Sequence, residues 1–408
     1  MRPRSPHTDA PASNRRVVSD TRERATLARL LTGQIGPSVP TPRQWAGMLA
    51  QARAQQLAGR LAHVVLEHPD AAGLDPRLLA QLASARRIAD AHQHSMRWEL
   101  NRLAQVFRQT GDRPVLLKGA AYCARGLEVA RGRHYGDVDL LVEEARLPAI
   151  ETALRFAGYA PEKTSAYDQH YYRTWMHEIP PMRHLKRGTS LDVHFRLIPR
   201  TSRIPVDHAP LLAHRLPVNG PFDVLAPEAM LLHSMVHLYT ESEFPQGLRN
   251  LFDIHFLIIE FTQENNLFKE RLEVLARSAG LGRVLADTLH WRALFFESGY
   301  PDAERTRSIG GTRGPTSISR PESKSESGSG SGPGSDSGLA LRSGPGSRLV
   351  AALIQHGLNP DAAQRQSAIR RCALGLLYLR GHWLRMPTGL LARHLWHQFL
   401  SRRREKDQ

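Results

Sequence analysis

Residues 114–142 read PVLLKGAAYCARGLEVARGRHYGDVDLLV, and the order of signals in this stretch decides the fold. An apolar run, Pro114–Leu117, ends in Lys118-Gly119 and predicts a short strand. A helix is predicted over Ala120–Leu127. Asp137-Val138-Asp139-Leu140 then alternates charge with apolar residues, which predicts a second strand over Val138–Val142. Residues i and i+2 of a strand point to one face, so Asp137 and Asp139 project together. Two adjacent carboxylates repel each other unless a cation neutralises them. The pair therefore points to a metal site, and the glycine-bearing turn at Lys118-Gly119-Ala120 points to a phosphate beside it, since a turn opening a helix offers backbone N–H groups and the helix dipole.

Downstream, Ser190–Leu197 (SLDVHFRL) alternates as a third strand and sets Asp192 and His194 on one face. A strand placed beside the Asp137–Asp139 strand brings three carboxylates to one spot. Such a set holds two divalent cations, and Mg²⁺ prefers carboxylate oxygens together with substrate phosphate. Two metals can stabilise the attacking and leaving oxygens of a phosphoryl displacement.

The surrounding chain is helical in pattern. Residues 1–20 are polar and aperiodic and read as disordered. Residues 21–110 form an Ala/Leu-rich helical region without a cluster of catalytic residue types. Residues 111–205 make the α/β core, with a further helix over Leu147–Ala157 ended by Gly158 and an irregular aromatic segment over Tyr167–Met182. Residues 206–302 read as a helical domain, with Pro227 and Glu228 in the first turn of one helix and further helices over Leu248–Phe261 and Leu267–Phe296. Residues 303–347 include KSESGSGSGPGSDSG, a flexible linker composition. Residues 348–408 return to helices and end in the basic tail SRRREKDQ. The expected class is α+β.

With 55 Lys and Arg against 39 Asp and Glu, the formal charge is +16, which invites an anionic partner. The basic residues are spread along the chain and no aromatic-interleaved basic patch appears, so a nucleotide is favoured over nucleic acid. The two cysteines, Cys123 and Cys372, build neither a disulfide framework nor a four-ligand zinc site. No apolar leader or membrane-spanning run is visible, and a cytoplasmic protein without a membrane partner is the expectation.

The succession LKGAA, RGRHYGDVDLLV, LDVHFRL, LAPEAMLLHSMVHL and LRNLFDIHFLI resembles the uncharacterised nucleotidyltransferase-like family of the DNA polymerase beta superfamily, over about Thr21–Phe261. These are bacterial proteins often encoded with polysaccharide biosynthesis genes. The resemblance implies a polymerase-beta-like core carrying N-terminal and C-terminal helical regions. It implies that Asp137 and Asp139 are the paired Mg²⁺ ligands and that Asp192 is the third carboxylate, assisting an acceptor hydroxyl. By the same resemblance Gly119 is the glycine of the superfamily's Gly-Ser turn, and Arg133 matches an arginine common in the family. The implied activity moves a nucleoside monophosphate from an NTP to a sugar, polymer or protein hydroxyl. Ala120 stands where the wider superfamily has Ser, so a non-catalytic nucleotide-binding or regulatory descendant is the alternative. An antitoxin-like enzyme modifying a partner protein is another.

Several residues have two readings. Lys118 either touches the triphosphate or caps a strand end. Arg133 contacts phosphate or pairs with Asp137. His194 orients Asp192 or the acceptor, or is structural. Asp253, amid apolar neighbours, needs a partner, and either pairs with Arg249 or faces the cleft toward substrate. His233 and His237 have the spacing of a helical zinc pair but lack the Glu of that motif, which favours packing. Tyr171, Tyr172 and Trp175 either stack on a base or sugar or pack internally. Cys123 reads as a small buried residue.

Overall fold

The computed structural model describes residues 27–28, 30–32, 40–162, 165–242, 244, 247–296, 345–358 and 368–392. The expected disordered N-terminus at 1–20, linker residues 303–344 and the basic tail at 401–408 lie outside these.

Three helices precede the sheet: α1 (Pro42–Ala54), α2 (Ala58–Leu66) and α3 (Pro76–Thr110). Thr41 starts α1 through a reciprocal capping box, with Thr41 N–H donating to Gln44 Oε1 at 2.8 Å. Asp75 caps α3 by accepting from Arg77 N–H at 2.7 Å, and Gly111, at φ 73°, ends it. The 35-residue α3 buries Leu82, Leu100, Leu103 and Phe107 along one stripe.

The first strand β1 (Val115–Leu116) leads into α4 (Lys118–Arg125), and β2 (Asp137–Leu141) returns antiparallel to β1. Helix α5 (Leu147–Phe156) and β3 (Tyr159–Pro161) follow. A short helix α6 (Ala166–His170) continues as one wide turn of π-helix over Tyr171–Trp175. The segment expected to be irregular is therefore helical in its first half, and its end enters β4 (Met182–His184), which leads to β5 (Ser190–His194).

Beyond a single turn, α7 (His208–Leu212), come β6 (Arg215–Val218) and β7 (Phe222–Leu225). The sequence reading placed no strand here. Both belong to one seven-stranded mixed sheet of order β3-β4-β5-β2-β1-β7-β6, so the sheet continues past residue 205. Two of its pairings are parallel, β2 with β5 and β1 with β7.

Helices α8 (Pro227–Thr240), α9 (Gly247–Glu264), α10 (Phe268–Ser278) and α11 (Gly282–Phe296) follow, with α12 (Pro345–Gly357) and α13 (Ala368–Arg385) after them. The helix expected over 267–296 is broken at Gly280, whose φ is 73° and where a Cβ would lie 2.5 Å from the Pro205 carbonyl oxygen. The last three residues of the expected linker, 345–347, already belong to α12, and Ser347 Oγ donates to Asp287 Oδ1 at 2.7 Å. Apolar burial is continuous from α1 through the sheet to α13. The expected α+β class, a sheet-bearing core with helices before and after it, is the architecture observed. No described helix is long and apolar enough to cross a membrane.

Candidate active site

Parallel pairing of β2 with β5 places Asp139 opposite Asp192, Asp137 opposite Ser190 and Leu141 opposite His194. Val138 and Leu140 are buried on the other face, against β1 and the helices, which pins the register. One carboxylate oxygen from each of Asp137, Asp139 and Asp192 lies within 4.8 Å of the others. Asp137 is exposed at the strand start, whereas Asp139 is only 3% exposed.

Electrostatically the three differ. Burial alone would raise Asp139, but the Lys118 ammonium, 2.8 Å away, and the His194 ring, 3.1 Å away, hold its carboxyl well below the usual carboxylate range. Asp137 is raised, chiefly by the neighbouring Asp139 charge and then by burial. Asp192 is raised well above its ordinary value by burial and by Glu178, Asp139 and Asp137, and its Oδ1 is buried without a hydrogen-bond partner. An unpartnered carboxylate oxygen beside two others is the donor set a hard divalent cation satisfies, so the residues present fit Mg²⁺.

Lys118 pairs with Asp139 from a left-handed backbone at φ 44°. The Asp139 and Asp137 charges outweigh the burial that disfavours its ammonium and keep it protonated. Gly119 is held to glycine by a neighbour, because a Cβ there would sit 2.5 Å from Arg133 Nη1 and 3.1 Å from its Cζ. Ala120 is fully buried.

Arg133 does not pair with Asp137: its Nε donates to Asp253 Oδ2 at 3.1 Å and its Nη1 to the His134 carbonyl at 3.2 Å. The guanidinium lies 5.6 Å from the centre of the Tyr122 ring and 5.4 Å from that of Tyr135. The partner of Asp253 is thus Arg133 and not Arg249, because Asp253, one turn along α9, meets the loop before β2.

His194 is buried and bonds Asp139 through Nε2, while its Nδ1 lies 3.3 Å from Glu178 Oε2. It orients Asp139, not Asp192 as the sequence suggested. Residues 177–179 run antiparallel beside β5, with a bridge between Glu178 and His194, Ile179 N–H donating to the Val193 carbonyl at 3.0 Å. His177, Glu178 and His194 bring donor atoms within 4.8 Å of one another.

His233, on α8, is pushed down to about 3 by burial, with the charges of Lys118 and His194 adding to the effect. His237 lies 3.5 Å from Glu241. Tyr167, Tyr171 and Trp175 contact one another, with the stacked Tyr167 and Tyr171 ring centres 6.2 Å apart. Cys123 is buried, as its composition suggested.

The site also contains residues that no motif pointed to. Glu178 reaches His194 from an irregular segment and adds its negative charge near Asp192. Arg249 lies one turn before Asp253 on α9, and Asp253 holds the Arg133 guanidinium that packs against Gly119, which brings Arg249 near this turn.

A mixed sheet whose parallel central pair gathers three carboxylates beside a strand-to-helix turn defines a nucleotidyltransferase core. The family described as "Uncharacterised nucleotidyltransferase" matches residues 41–297, more than half of the chain, and the chain belongs to that family. No curated protein and no solved structure matches it. Membership supports nucleotidyl transfer as the class of chemistry.

Proposed function

We propose that this protein transfers a nucleoside monophosphate from a nucleoside triphosphate to an acceptor hydroxyl, with two Mg²⁺ ions held by Asp137, Asp139 and Asp192. The observation that carries this reading is the convergence of the three carboxylates, with Asp192 Oδ1 left unpartnered. Bound Mg²⁺ would neutralise the charge that develops on the attacking and leaving oxygens.

The chain's own residues do the rest. Lys118 and His194 keep Asp139 ionised, so this carboxylate is available as a ligand throughout the working pH range. Asp192, opposite Asp139 on β5 with an oxygen that no protein group engages, is the group placed to receive the acceptor's proton. The acceptor oxygen forms a bond to the α-phosphorus, its proton passes to Asp192, and the bond from the α-phosphorus to the bridging oxygen breaks to release pyrophosphate. Lys118, Gly119 and Ala120 open α4 toward this point, and Gly119 allows Arg133 to lie close behind it. The acceptor is a sugar, polymer or protein hydroxyl.

Equilibrium binding of labelled NTPs with and without Mg²⁺ tests the reading. Mg²⁺-dependent binding that disappears in the Asp137→Ala, Asp139→Ala double variant is expected. No metal-dependent binding, or binding that survives both substitutions, overturns it.

One observation favours a second reading, a nucleotide-binding protein without turnover. The Lys118 ammonium already neutralises Asp139, and Ala120 brings no hydroxyl to the phosphates. Mg²⁺-dependent nucleotide binding without pyrophosphate release, across a panel of sugar, polymer and protein acceptors, would select it.

A further inference from the structure

Among the described residues, two that are not glycine have positive φ: Lys118, at 44°, and Gln56, at 55°. Backbone strain of this kind persists where the surroundings require it and clusters at functional sites. Lys118 holds Asp139. Gln56 sits just past the end of α1, where Gln56 N–H donates to the Arg53 carbonyl at 3.1 Å and Leu57 N–H to the Ala52 carbonyl at 2.7 Å. That is the helix-ending position glycine usually fills. The side chain that glycine would lack is in use, because Gln56 Oε1 accepts from Arg249 Nη1.

Arg249 has an unusual set of partners. Its other hydrogen bond runs from Nη2 to Asn250 Oδ1 at 3.4 Å, and its Nε is buried without a partner. No carboxylate forms an ion pair with it among the described residues, and the nearby Asp253 is engaged by Arg133. A half-buried guanidinium bonded only to amides retains an uncompensated charge. Burial and the Arg133 charge pull Arg249 down to about 10, the opposite of what a dedicated carboxylate would do. One turn further along α9, Asp253 holds Arg133 against Gly119, so Arg249 lies beside the strand-to-helix turn with its Nε unpartnered. Its planar fork suits phosphate oxygens better than any other anion a nucleotide carries.

We propose that Arg249, aimed by Gln56, is the anchor for the polyphosphate tail of the nucleoside triphosphate, on the side of the site where Arg133 packs against Gly119. This rests on the nucleotidyl-transfer reading and adds to it the direction in which the triphosphate lies. The anchor comes from α9 and its positioning amide from the N-terminal helices, so the phosphate subsite spans residues nearly two hundred positions apart.

The test compares the four NTPs with the corresponding NMPs, all with Mg²⁺, on the full chain. Losing a charge-assisted bond to phosphate weakens binding by about tenfold or more. Arg249→Gln is expected to lose that much NTP affinity while NMP affinity changes less than about twofold, since the monophosphate has no tail to hold. Arg249→Lys keeps the charge without the fork and is expected to lie between. Gln56→Gly keeps the backbone turn, removes the positioning carbonyl, and is expected to weaken NTP binding several-fold by the same reasoning. Thermal unfolding checks that each variant is folded. If Arg249→Gln does not fold, Arg249→Lys and Gln56→Gly carry the test. NTP affinity equal to that of the unsubstituted chain, or an equal loss for NTP and NMP, overturns the anchor and leaves nucleotidyl transfer standing. Failure of the unsubstituted chain to bind any Mg²⁺-NTP overturns both.

Discussion

At Asp192 the buried oxygen without a partner sets a pH dependence that can be measured without knowing the substrate. Its carboxyl is raised in the folded chain by burial and by Glu178, so the folded state holds a proton that the unfolded state has already released. Stability then falls as pH rises from about 4 through the raised value. In divalent-free buffer the thermal midpoint is expected to drop across that range. Asp192→Asn should flatten the decline, and added Mg²⁺ should restore the midpoint of the unsubstituted chain alone. Parallel profiles for the two proteins would count against a strained carboxylate. Asp139 behaves oppositely: burial disfavours its charge, but Lys118 and His194 hold it low, so its contribution is present above about 4 and lost below. A second residue-scale expectation concerns Gly119. Gly119→Ala places a Cβ 2.5 Å from Arg133 Nη1, and the guanidinium cannot retreat without releasing Asp253. Urea denaturation should show a loss of about 1–3 kcal/mol, typical of overpacking.

At the scale of elements, the sheet is held to the N-terminal helices by Glu99 of α3, which is 2% exposed. It accepts from Arg187 Nη2 at 2.7 Å, from Thr189 Oγ1 at 3.2 Å and from the Tyr159 hydroxyl, gathering β3 and the turn between β4 and β5. Glu99→Ala leaves Arg187 unpaired, and a loss of about 3 kcal/mol is expected, at the lower end for a buried pair because Arg187 is partly exposed. Denaturant unfolding of Glu99→Ala against Glu99→Gln measures it. Strands β2 and β5 were legible in the sequence because five alternating residues with apolar positions on one face leave little choice. Strands β3, β4, β6 and β7, of three or four residues, were not: β6 exposes Arg215, Leu216 and Pro217 on the sheet edge and carries no alternation to read. The carboxylates could be found from spacing, whereas Glu178 could not, because only the antiparallel run of residues 177–179 beside β5 brings it to the site.

Across the whole molecule, the C-terminal helices close against the core through a backbone contact. Gly381 of α13 lies so near α8 that a Cβ would be 2.5 Å from the Glu241 carbonyl oxygen and 2.6 Å from Ser242 Cα. The end of α13 then accepts from Thr201 Oγ1 at 2.7 Å and from Arg203 N–H at 2.8 Å, tying it to the loop after β5. Neither side is a flexible side chain, so the contact cannot relax cheaply. Gly381→Val is expected to lift α13, cost about 1–3 kcal/mol, and speed proteolytic cleavage within 368–385. Unchanged cleavage rates would mean that the helix is held elsewhere.

The parallel register of β2 and β5 also divides the chain into positions where length is free and positions where it is not. Forty-eight residues, 142–189, separate Leu141 from Ser190, and they include exposed turns whose lengthening would leave both strands where they are. One residue added between Ser190 and Asp192 would turn that carboxylate to the opposite face, because strand side chains alternate. The same shift would carry Val193 off the buried face and turn Asp192 toward it, so the strand would lose its apolar packing as well as its carboxylate. An insertion scan should therefore yield two separable outcomes around this site: indifference between the strands, and joint loss of divalent-cation binding and stability within them.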